Sequence, residues 1–280
     1  MEKAIKRYFP IFVLPTMIAF TLGFIIPFVE GVYLSFCKFT TVNDAKFIGF
    51  ANYAKVFADE TFVHAFWYTA AFTVVSVILI NVLAFAVALL LTKGFKGTNI
   101  FRTVFFMPNL IGGIVLGYIW QLLLNGILMK FSRTLTYSST YGFWGLIILM
   151  CWQQIGYMMI IYIAGIQNIS GDLIEAAKID GANARQILRN VTIPMVMPSI
   201  TICTFLTLTN SFKLFDQNLA LTNGEPSKMS EMLALNIYNT FYGRTGWEGV
   251  GQAKAVVFFI LVAIIALAQN KITRRKEVQQ

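Results

Sequence analysis

Long, continuous apolar stretches constrain this 280-residue chain more than any other feature. A helix needs about 20 mostly apolar residues to cross the hydrocarbon core of a membrane. Charged residues make up only 12% of the chain, about half the fraction in a typical soluble domain. The sequence therefore predicts an all-α membrane protein with six transmembrane helices, over roughly Phe9–Phe36, Thr69–Leu91, Val104–Leu124, Phe143–Ile163, Met195–Leu221 and Ala253–Gln269.

This pattern excludes several other classes of protein. A transmembrane barrel would show alternating segments of about ten residues, whereas the apolar runs here are continuous and longer. Cys37, Cys151, Cys203 and the lone His64 lack the spacing of a disulfide framework or a metal site. The first apolar run is too long for a signal peptide and is followed by no small-residue cleavage site. We therefore expect it to be an uncleaved first span.

The charged residues between the predicted spans indicate the orientation of the chain. With the N-terminus inside, the segments on that side carry 13 of the 22 Lys and Arg residues and 5 of the 13 Asp and Glu residues. Their net charge is +8, against +1 on the other side. Cytoplasmic loops are enriched in Lys and Arg. We therefore expect a multi-pass protein of the cytoplasmic membrane with both termini in the cytoplasm.

The cytoplasmic segment between predicted spans 4 and 5, residues 170–194, has the pattern of two short helices. Asp172, followed three residues later by Glu175, predicts a capping box, and Gly181 suits a left-handed helix end. Each helix has apolar residues at helical spacing, namely Leu173, Ala176 and Ala177 in the first and Ala184, Ile187, Leu188 and Val191 in the second. Such a segment can dock into a groove on another protein, or it can lie on the inner membrane surface.

Polar side chains recur near one depth of predicted spans 4 and 5. In span 4, Gln153, Gln154 and Tyr157 lie within one turn. In span 5, polar residues fall within about 140° of a helical wheel, namely Thr204, Thr207, Asn210, Ser211, Gln217 and Asn218. A rise of about 1.5 Å per residue places Gln153 and Asn210 near the membrane midplane. Two interpretations stay open: a pathway for an uncharged polyhydroxylated ligand such as a sugar, or hydrogen bonds between helices.

Two further residue pairs fall within or beside these spans. Lys213 and Asp216 are three residues apart, which predicts an internal ion pair near the outer interface, with a gate as the alternative. Gly113 and Gly117 form a GxxxG motif, which predicts close helix packing.

Four strings resemble those of type I ABC-importer permeases, and three of them point to the carbohydrate, or maltose-type, branch. The most specific is EAAKIDGA between two spans, followed by Ile193-Pro194 and by Pro198, which resembles the EAA loop of that family. The others are FIGFANYAKVF (47–57), FRTVFFMPNLI (101–111) and SFKLFDQNLALTNGEP (211–226). The resemblance covers nearly the whole chain and implies the type I permease (MetI-like) fold with a cytoplasmic coupling-helix loop.

The resemblance also implies partners. Permeases of this family form a pore with a second permease subunit, bind two cytoplasmic ATPase subunits through their EAA loops, and receive substrate from an external solute-binding protein. This sequence has no GxxxxGK[ST] phosphate loop. ATP would therefore be bound by a separate chain, and we expect this chain to be neither an enzyme nor a holder of a cofactor of its own.

Site residues and domain boundaries follow from the same resemblance. The ATPase-coupling residues would be Glu175, Ala176, Ala177, Asp180, Gly181, Ile193 and Pro194. Together with the midplane residues, the substrate pathway would comprise Asn109, Gly113, Gln153, Gln154, Tyr157, Asn210 and Ser211. We expect an N-terminal tail, first helix and external loop over 1–64, the transmembrane type-1 domain over 65–270, and a basic cytoplasmic tail over 271–280.

The sequence also bears on three functions other than that of a sugar permease. A permease of the same type could carry another polar solute, such as glycerol phosphate. A stand-alone secondary transporter or channel would more often show intramembrane acidic residues and a repeated half, and neither is visible. A membrane enzyme would need a nucleophile with its base, or a carboxylate cluster, within a span, and the sequence contains neither.

Overall fold

The computed structural model describes residues 2–94 and 96–274, and most of them are helical. The α-helices are α1 Glu2–Phe20, α2 Ile26–Leu34, α3 Ala51–Ala58, α4 Glu60–Leu91, α5 Thr98–Phe106, α6 Gly113–Leu128, α7 Ser139–Gln167, α8 Gly171–Ile179, α9 Ala184–Ile187, α10 Ile193–Met195, α11 Met197–Phe212, α12 Asp216–Leu221, α13 Leu233–Gly243 and α14 Glu248–Arg274. Two short strands, β1 Cys37–Lys38 and β2 Lys46–Phe47, form an antiparallel pair. Turns of π-helix occur at Thr21–Ile25 and Leu188–Thr192, and 3-10 turns at Val42–Asp44, Met107–Leu110, Met129–Phe131 and Leu135–Tyr137.

Within the described ranges, five helical segments are long and apolar enough to cross a membrane, namely Ile11–Leu34, Glu60–Leu91, Gly113–Phe131, Ser139–Gln167 and Glu248–Thr273. A sixth crossing is present if Ala184–Met195 and Met197–Phe212, which are bent by 68° relative to each other, count as one span. The predicted multi-pass, all-α architecture is confirmed. Of the predicted basic tail, residues 275–280 lie outside the described residues, and α14 extends to Arg274.

Several predicted spans have different bounds in the structure; α4, for example, begins at Glu60 rather than Thr69. Two of the predicted spans are interrupted. The third was expected to begin at Val104, but its helix begins at Gly113. Helix α5 ends at Phe106, and Met107–Leu110 form a 3-10 turn that contains Pro108, which lacks an N–H group for a helical hydrogen bond. The backbone becomes extended at Ile111 before α6 begins. The fifth was expected to run to Leu221, but α11 ends at Phe212.

One compact unit comprises residues 1–60 and 237–260. The side-chain amide of Asn52 stabilises the hairpin of β1 and β2. It donates hydrogen bonds to the carbonyl oxygens of Ser35 and Cys37 at 2.9 and 2.8 Å. The carboxylate of Asp59 accepts a hydrogen bond from the fully buried Lys254 ammonium at 2.8 Å. A buried charge is stable only when it is paired in this way. The ion pair therefore fastens the start of α4 to α14.

The other compact unit comprises residues 61–236 and 261–280. Its spans differ in burial, and α7 is the most buried of those described. Apolar side chains of α7 from Leu146 to Ile163 form much of the core. Helix α7 contacts α5, α6, α11 and α12. Because α7 and α11 flank the segment 170–194, this core holds both of its ends.

Candidate coupling loop and membrane cavity

The segment between α7 and α11 presents the short helix α8 on the surface. Ile174 packs against the apolar core, and Ala177 is half-buried. On the other side, Ala176 is exposed, and Ile179 keeps 86% of its surface accessible. The helix is thus anchored along one edge and free along the other. Such an arrangement leaves a small alanine-bearing surface available for a partner.

The two ends of α8 are built differently. Its N-terminal cap is Ser170, whose side chain makes no capping hydrogen bond, so the predicted capping box of Asp172 and Glu175 is wrong. Asp172 lies inside the first turn rather than before it. At the C-terminal end, Gly181 has a φ of +78°, as predicted.

The hydrogen bonds at the C-terminal end explain why glycine is needed there. The N–H of Ala182 donates to the carbonyl of Ala177 at 2.9 Å, and the N–H of Gly181 donates to that of Lys178 at 3.0 Å. This pair of bonds is a Schellman motif, which requires a left-handed residue after the helix. Gly181 therefore sets the direction in which the chain leaves α8.

The second half of the loop begins with a complete capping box. The side chain of Asn183 accepts from the backbone N–H of Gln186 at 3.0 Å, and the N–H of Asn183 donates to the Gln186 side chain at 2.7 Å. Helix α9, a π-helical turn and α10 follow, and the chain then bends by 68° into α11. The predicted second helix is confirmed. Of the predicted coupling residues, those exposed are Glu175, Ala176, Asp180 and Gly181, and those half-buried are Ala177, Ile193 and Pro194.

A cavity of about 270 Å³ lies between α7, α11 and the start of α12. Two of the predicted pathway residues, Gln154 and Asn210, line it. The other lining residues are Met150, Lys213, Leu214, Phe215, Asp216 and Gln217. The Oε1 atom of Gln154 is buried and has no hydrogen-bond partner. A buried amide oxygen without a partner is uncommon in folded proteins.

Gln153 and Gly113 form the wall beside this cavity. The Nε2 of Gln217 donates to the Oε1 of Gln153 at 2.8 Å, and the Nε2 of Gln153 donates to the carbonyl of Ile111 at 3.3 Å. A Cβ atom added at Gly113 would lie 3.1 Å from the Gln217 side chain. Gln153 is therefore held in the wall, whereas Gln154 faces the opening.

The remaining predicted pathway residues lie away from the cavity lining. Asn109 is half-buried in the 3-10 turn after α5. The ring of Tyr157 packs against that of Phe106, with 6.5 Å between centroids. Ser211 is completely buried, and its Oγ atom has no hydrogen-bond partner. Of the seven residues, Gln154 and Asn210 line the cavity, and Gln153 and Gly113 lie beside Gln217 in its wall. Asn109, Tyr157 and Ser211 are not among the lining residues.

The helix is interrupted between α11 and α12, and two sequence-based predictions are therefore wrong. Because the helix ends at Phe212 and resumes at Asp216, Gln217 and Asn218 do not continue the polar stripe of α11. In the described residues, Lys213 and Asp216 form no ion pair with each other. The break turns both exposed side chains toward the cavity opening instead.

The GxxxG motif packs as predicted. A Cβ atom added at Gly117 would lie 2.6 Å from the Cβ of Ala220, and one at Gly113 would lie 2.8 Å from that of Asp216. Helix α12 therefore rests directly on α6. The Nε2 of Gln121 adds a hydrogen bond to the carbonyl of Leu221 at 3.1 Å. In residues 2–94 and 96–274, no group of three or more His, Cys, Asp or Glu side chains is placed to hold a metal ion.

A multi-pass helical bundle with an exposed helical loop and a polar cavity defines a membrane transport permease. The chain belongs to the family of binding-protein-dependent transport system inner membrane components, which it matches over residues 80–278. The resemblance drawn from its motifs is thereby confirmed.

Two relatives and one solved structure extend this match. The chain is 42% identical, over 96% of its length and 94% of the relative's, to a probable starch degradation products transport system permease protein of Thermoanaerobacterium thermosulfurigenes. It is 28% identical, over 99% of both proteins, to a multiple sugar-binding transport system permease protein of Streptococcus mutans. A chain of a bacterial ABC transporter involved in the import of the acidic polysaccharide alginate shares the fold, with a TM-score of 0.83, 21% identity and 98% of each chain covered.

Proposed function

We propose that this chain is the permease subunit of an ATP-driven importer that moves a sugar or oligosaccharide across the cytoplasmic membrane. The observation that carries the proposal is the exposed helix α8, held between two membrane helices in a member of this family. The relatives named for starch products and multiple sugars support a carbohydrate substrate. The chain would form the pore with a second permease subunit and receive its substrate from an external solute-binding protein.

The loop 170–194 would couple the permease to a separate cytoplasmic ATPase. Its exposed residues Glu175, Ala176, Asp180 and Gly181 are available for contact, while Ile174 anchors the helix to the core. Motion of a partner pressed against α8 would therefore reach α7 and α11. The half-buried Ile193 and Pro194 lie in α10, where the loop turns back toward the membrane.

The substrate pathway would run past the cavity lined by Gln154 and Asn210. Amide groups donate and accept hydrogen bonds without charge, which suits the hydroxyl groups of a sugar. Gly113 and Gln153 would shape the wall, and Asn109, Tyr157 and Ser211 would enter the pathway in another arrangement of the helices. Transit requires weak binding, and a single hydrogen bond contributes about 0.5–1.5 kcal/mol.

Both termini and the loop 170–194 would be cytoplasmic. The support is the net charge of +8 on the segments of that side against +1 on the other and the excess of Lys and Arg in cytoplasmic loops. This orientation puts α8 on the side where ATP is available.

ATP-dependent uptake in proteoliposomes tests the proposal. The chain is co-expressed with its second permease and ATPase, and uptake is measured with the binding protein and a panel of labelled solutes: maltooligosaccharides, trehalose and glycerol 3-phosphate. We expect uptake of one or more sugars that needs both ATP and the binding protein. Uptake of glycerol 3-phosphate alone would contradict the carbohydrate assignment. Uptake by this chain alone, without the other subunits, would show a stand-alone transporter.

A further inference from the structure

An asparagine on α4, which has no part in the proposed loop or pathway, joins the two helices that flank the loop. The Oδ1 of Asn81 accepts from the hydroxyl of Tyr162 on α7 at 2.7 Å. Its Nδ2 donates to the Oγ1 of Thr207 on α11 at 2.9 Å and to the carbonyl of Val77 at 2.8 Å. The amide thus uses both N–H groups and an oxygen lone pair at once. A hydrophobic residue could fill the same space but could not hold both helices.

Polar groups close to Asn81 along the same helix do not share this role. Thr73 and Ser76, which are also buried on α4, have hydroxyl oxygens without hydrogen-bond partners. If the polar groups of α4 served only to hold helices together, we would expect these hydroxyls to be hydrogen-bonded too, because an unsatisfied buried hydroxyl is unfavourable. Of the hydrogen bonds described for α4, those of Tyr68 and Thr69 contact other segments near its start, and from Thr73 to the end of the helix those to other helices are made by Asn81.

The position of the network relates it to the loop. Asn81 lies ten residues before the end of α4, and Thr207 lies ten residues after the start of α11, so each is about 15 Å from the inner end of its helix. Tyr162 lies five residues before the end of α7. The chain segment joining α7 to α11 is the loop 170–194. The hydrogen bonds therefore connect the two helices that flank that loop through a third helix.

We infer that Asn81 is a positioning residue that makes α7 and α11 move together when the loop between them is displaced, so that hydrolysis in the ATPase is converted into transport. This inference rests on the proposed function. Helices α7 and α11 also pack directly against each other, and the two bonds to Asn81 add a polar connection that resists sliding of one helix past the other. If the helices slid in this way, ATP would be hydrolysed without passage of a sugar.

Two substitutions remove single hydroxyl groups with little change in shape, and a third serves as the control. Thr207→Val and Tyr162→Phe each break one bond to Asn81, while Thr73→Val removes an equally buried hydroxyl that has no partner. ATP hydrolysis and sugar uptake are measured together in proteoliposomes of the full complex. We expect Thr207→Val and Tyr162→Phe each to raise the ATP used per sugar by about threefold, equivalent to about 0.6 kcal/mol, the average interhelical hydrogen bond in a membrane. We expect Thr73→Val to leave the ratio unchanged.

The possible results distinguish failure of this inference from failure of the proposed function. An unchanged ratio in both Thr207→Val and Tyr162→Phe, or an equal rise in Thr73→Val, would overturn the role of Asn81 alone. Absence of ATP-dependent sugar uptake by the unmutated complex would overturn the proposed function and this inference with it. Recovery of intact complex after detergent extraction is measured for each variant. A raised ratio at normal recovery supports positioning rather than folding.

Discussion

The loop 170–194, which we propose as the coupling loop, and the cavity wall both interrupt apolar helices, but their geometry is specified over different distances along the chain. The end of α8 is fixed by hydrogen bonds within residues 177–182 and by the positive φ of Gly181. The break at 213–215 contains neither proline nor glycine. There, α12 is held by α6, to which the side chain of Gln121 contributes a bond 100 residues away in sequence. The loop can therefore be predicted from local sequence, and the cavity cannot.

The variant with the largest expected effect distinguishes passage of sugar through the cavity from its coupling to ATP hydrolysis. Asn210→Trp would fill the space beside Gln154, and we expect sugar uptake to be nearly abolished. ATP hydrolysis should persist, because α8, the proposed coupling helix, is unchanged. Ile202→Trp is the matched control, since this residue is on the same helix but is 50% exposed and lies outside the cavity. Equal loss of uptake in both variants would show that bulk on α11, rather than the cavity, is responsible.

A smaller effect is expected at the end of α8. Gly181→Leu forces a side chain into the left-handed region, at about 1–2 kcal/mol, and should shift the loop so that ATP hydrolysis proceeds with less uptake. A Cβ atom at this position would meet nothing within 4 Å, so the effect comes from the backbone. Gly171→Ala is the control, because Gly171 has an ordinary φ and is equally unobstructed. Comparable uncoupling in both would remove the special role of the Schellman motif.

The smallest effect compares the two helix starts within the loop. Asn183→Ala removes a side-chain cap and should destabilise α9 by about 1 kcal/mol. Ser170→Ala should change little, because the Ser170 side chain makes no capping bond. Deuterium uptake by backbone amides of residues 171–187 in the purified complex measures both. Faster exchange around α8 in Ser170→Ala would mean that its hydroxyl does stabilise that helix.

The same contrast explains which parts of the molecule could be predicted from its sequence. The length of the apolar runs predicted the membrane spans. Residue spacing predicted helix α9, the left-handed conformation of Gly181 and the close packing at Gly117. The sequence suggested a capping box at Asp172, but the helix begins two residues earlier than that motif requires, with Ser170 as its N-cap. Neither Lys213 nor Asp216 could be placed, because their geometry depends on how α12 packs on α6.

Asn81 was missed although the sequence carries a signal for it. It is an amide within an otherwise apolar run of α4, from Val77 to Leu91, and a polar residue in a span requires a partner. The clustered polar residues of α7 and α11 form a stronger sequence pattern than this single residue. Its partners, Tyr162 and Thr207, lie 81 and 126 residues away, so only the packed helices identify them.

Cysteine labelling of α8 tests whether this helix is the coupling element. Ala176→Cys is introduced on the exposed side of the helix, in a chain whose Cys37, Cys151 and Cys203 have been replaced. We predict that a membrane-impermeant thiol reagent leaves Ala176→Cys unmodified in intact cells and labels it in inside-out vesicles, and that bound ATPase subunit blocks this labelling. Labelling from outside intact cells, or labelling unaffected by the ATPase, would contradict the assignment of this helix as the coupling element.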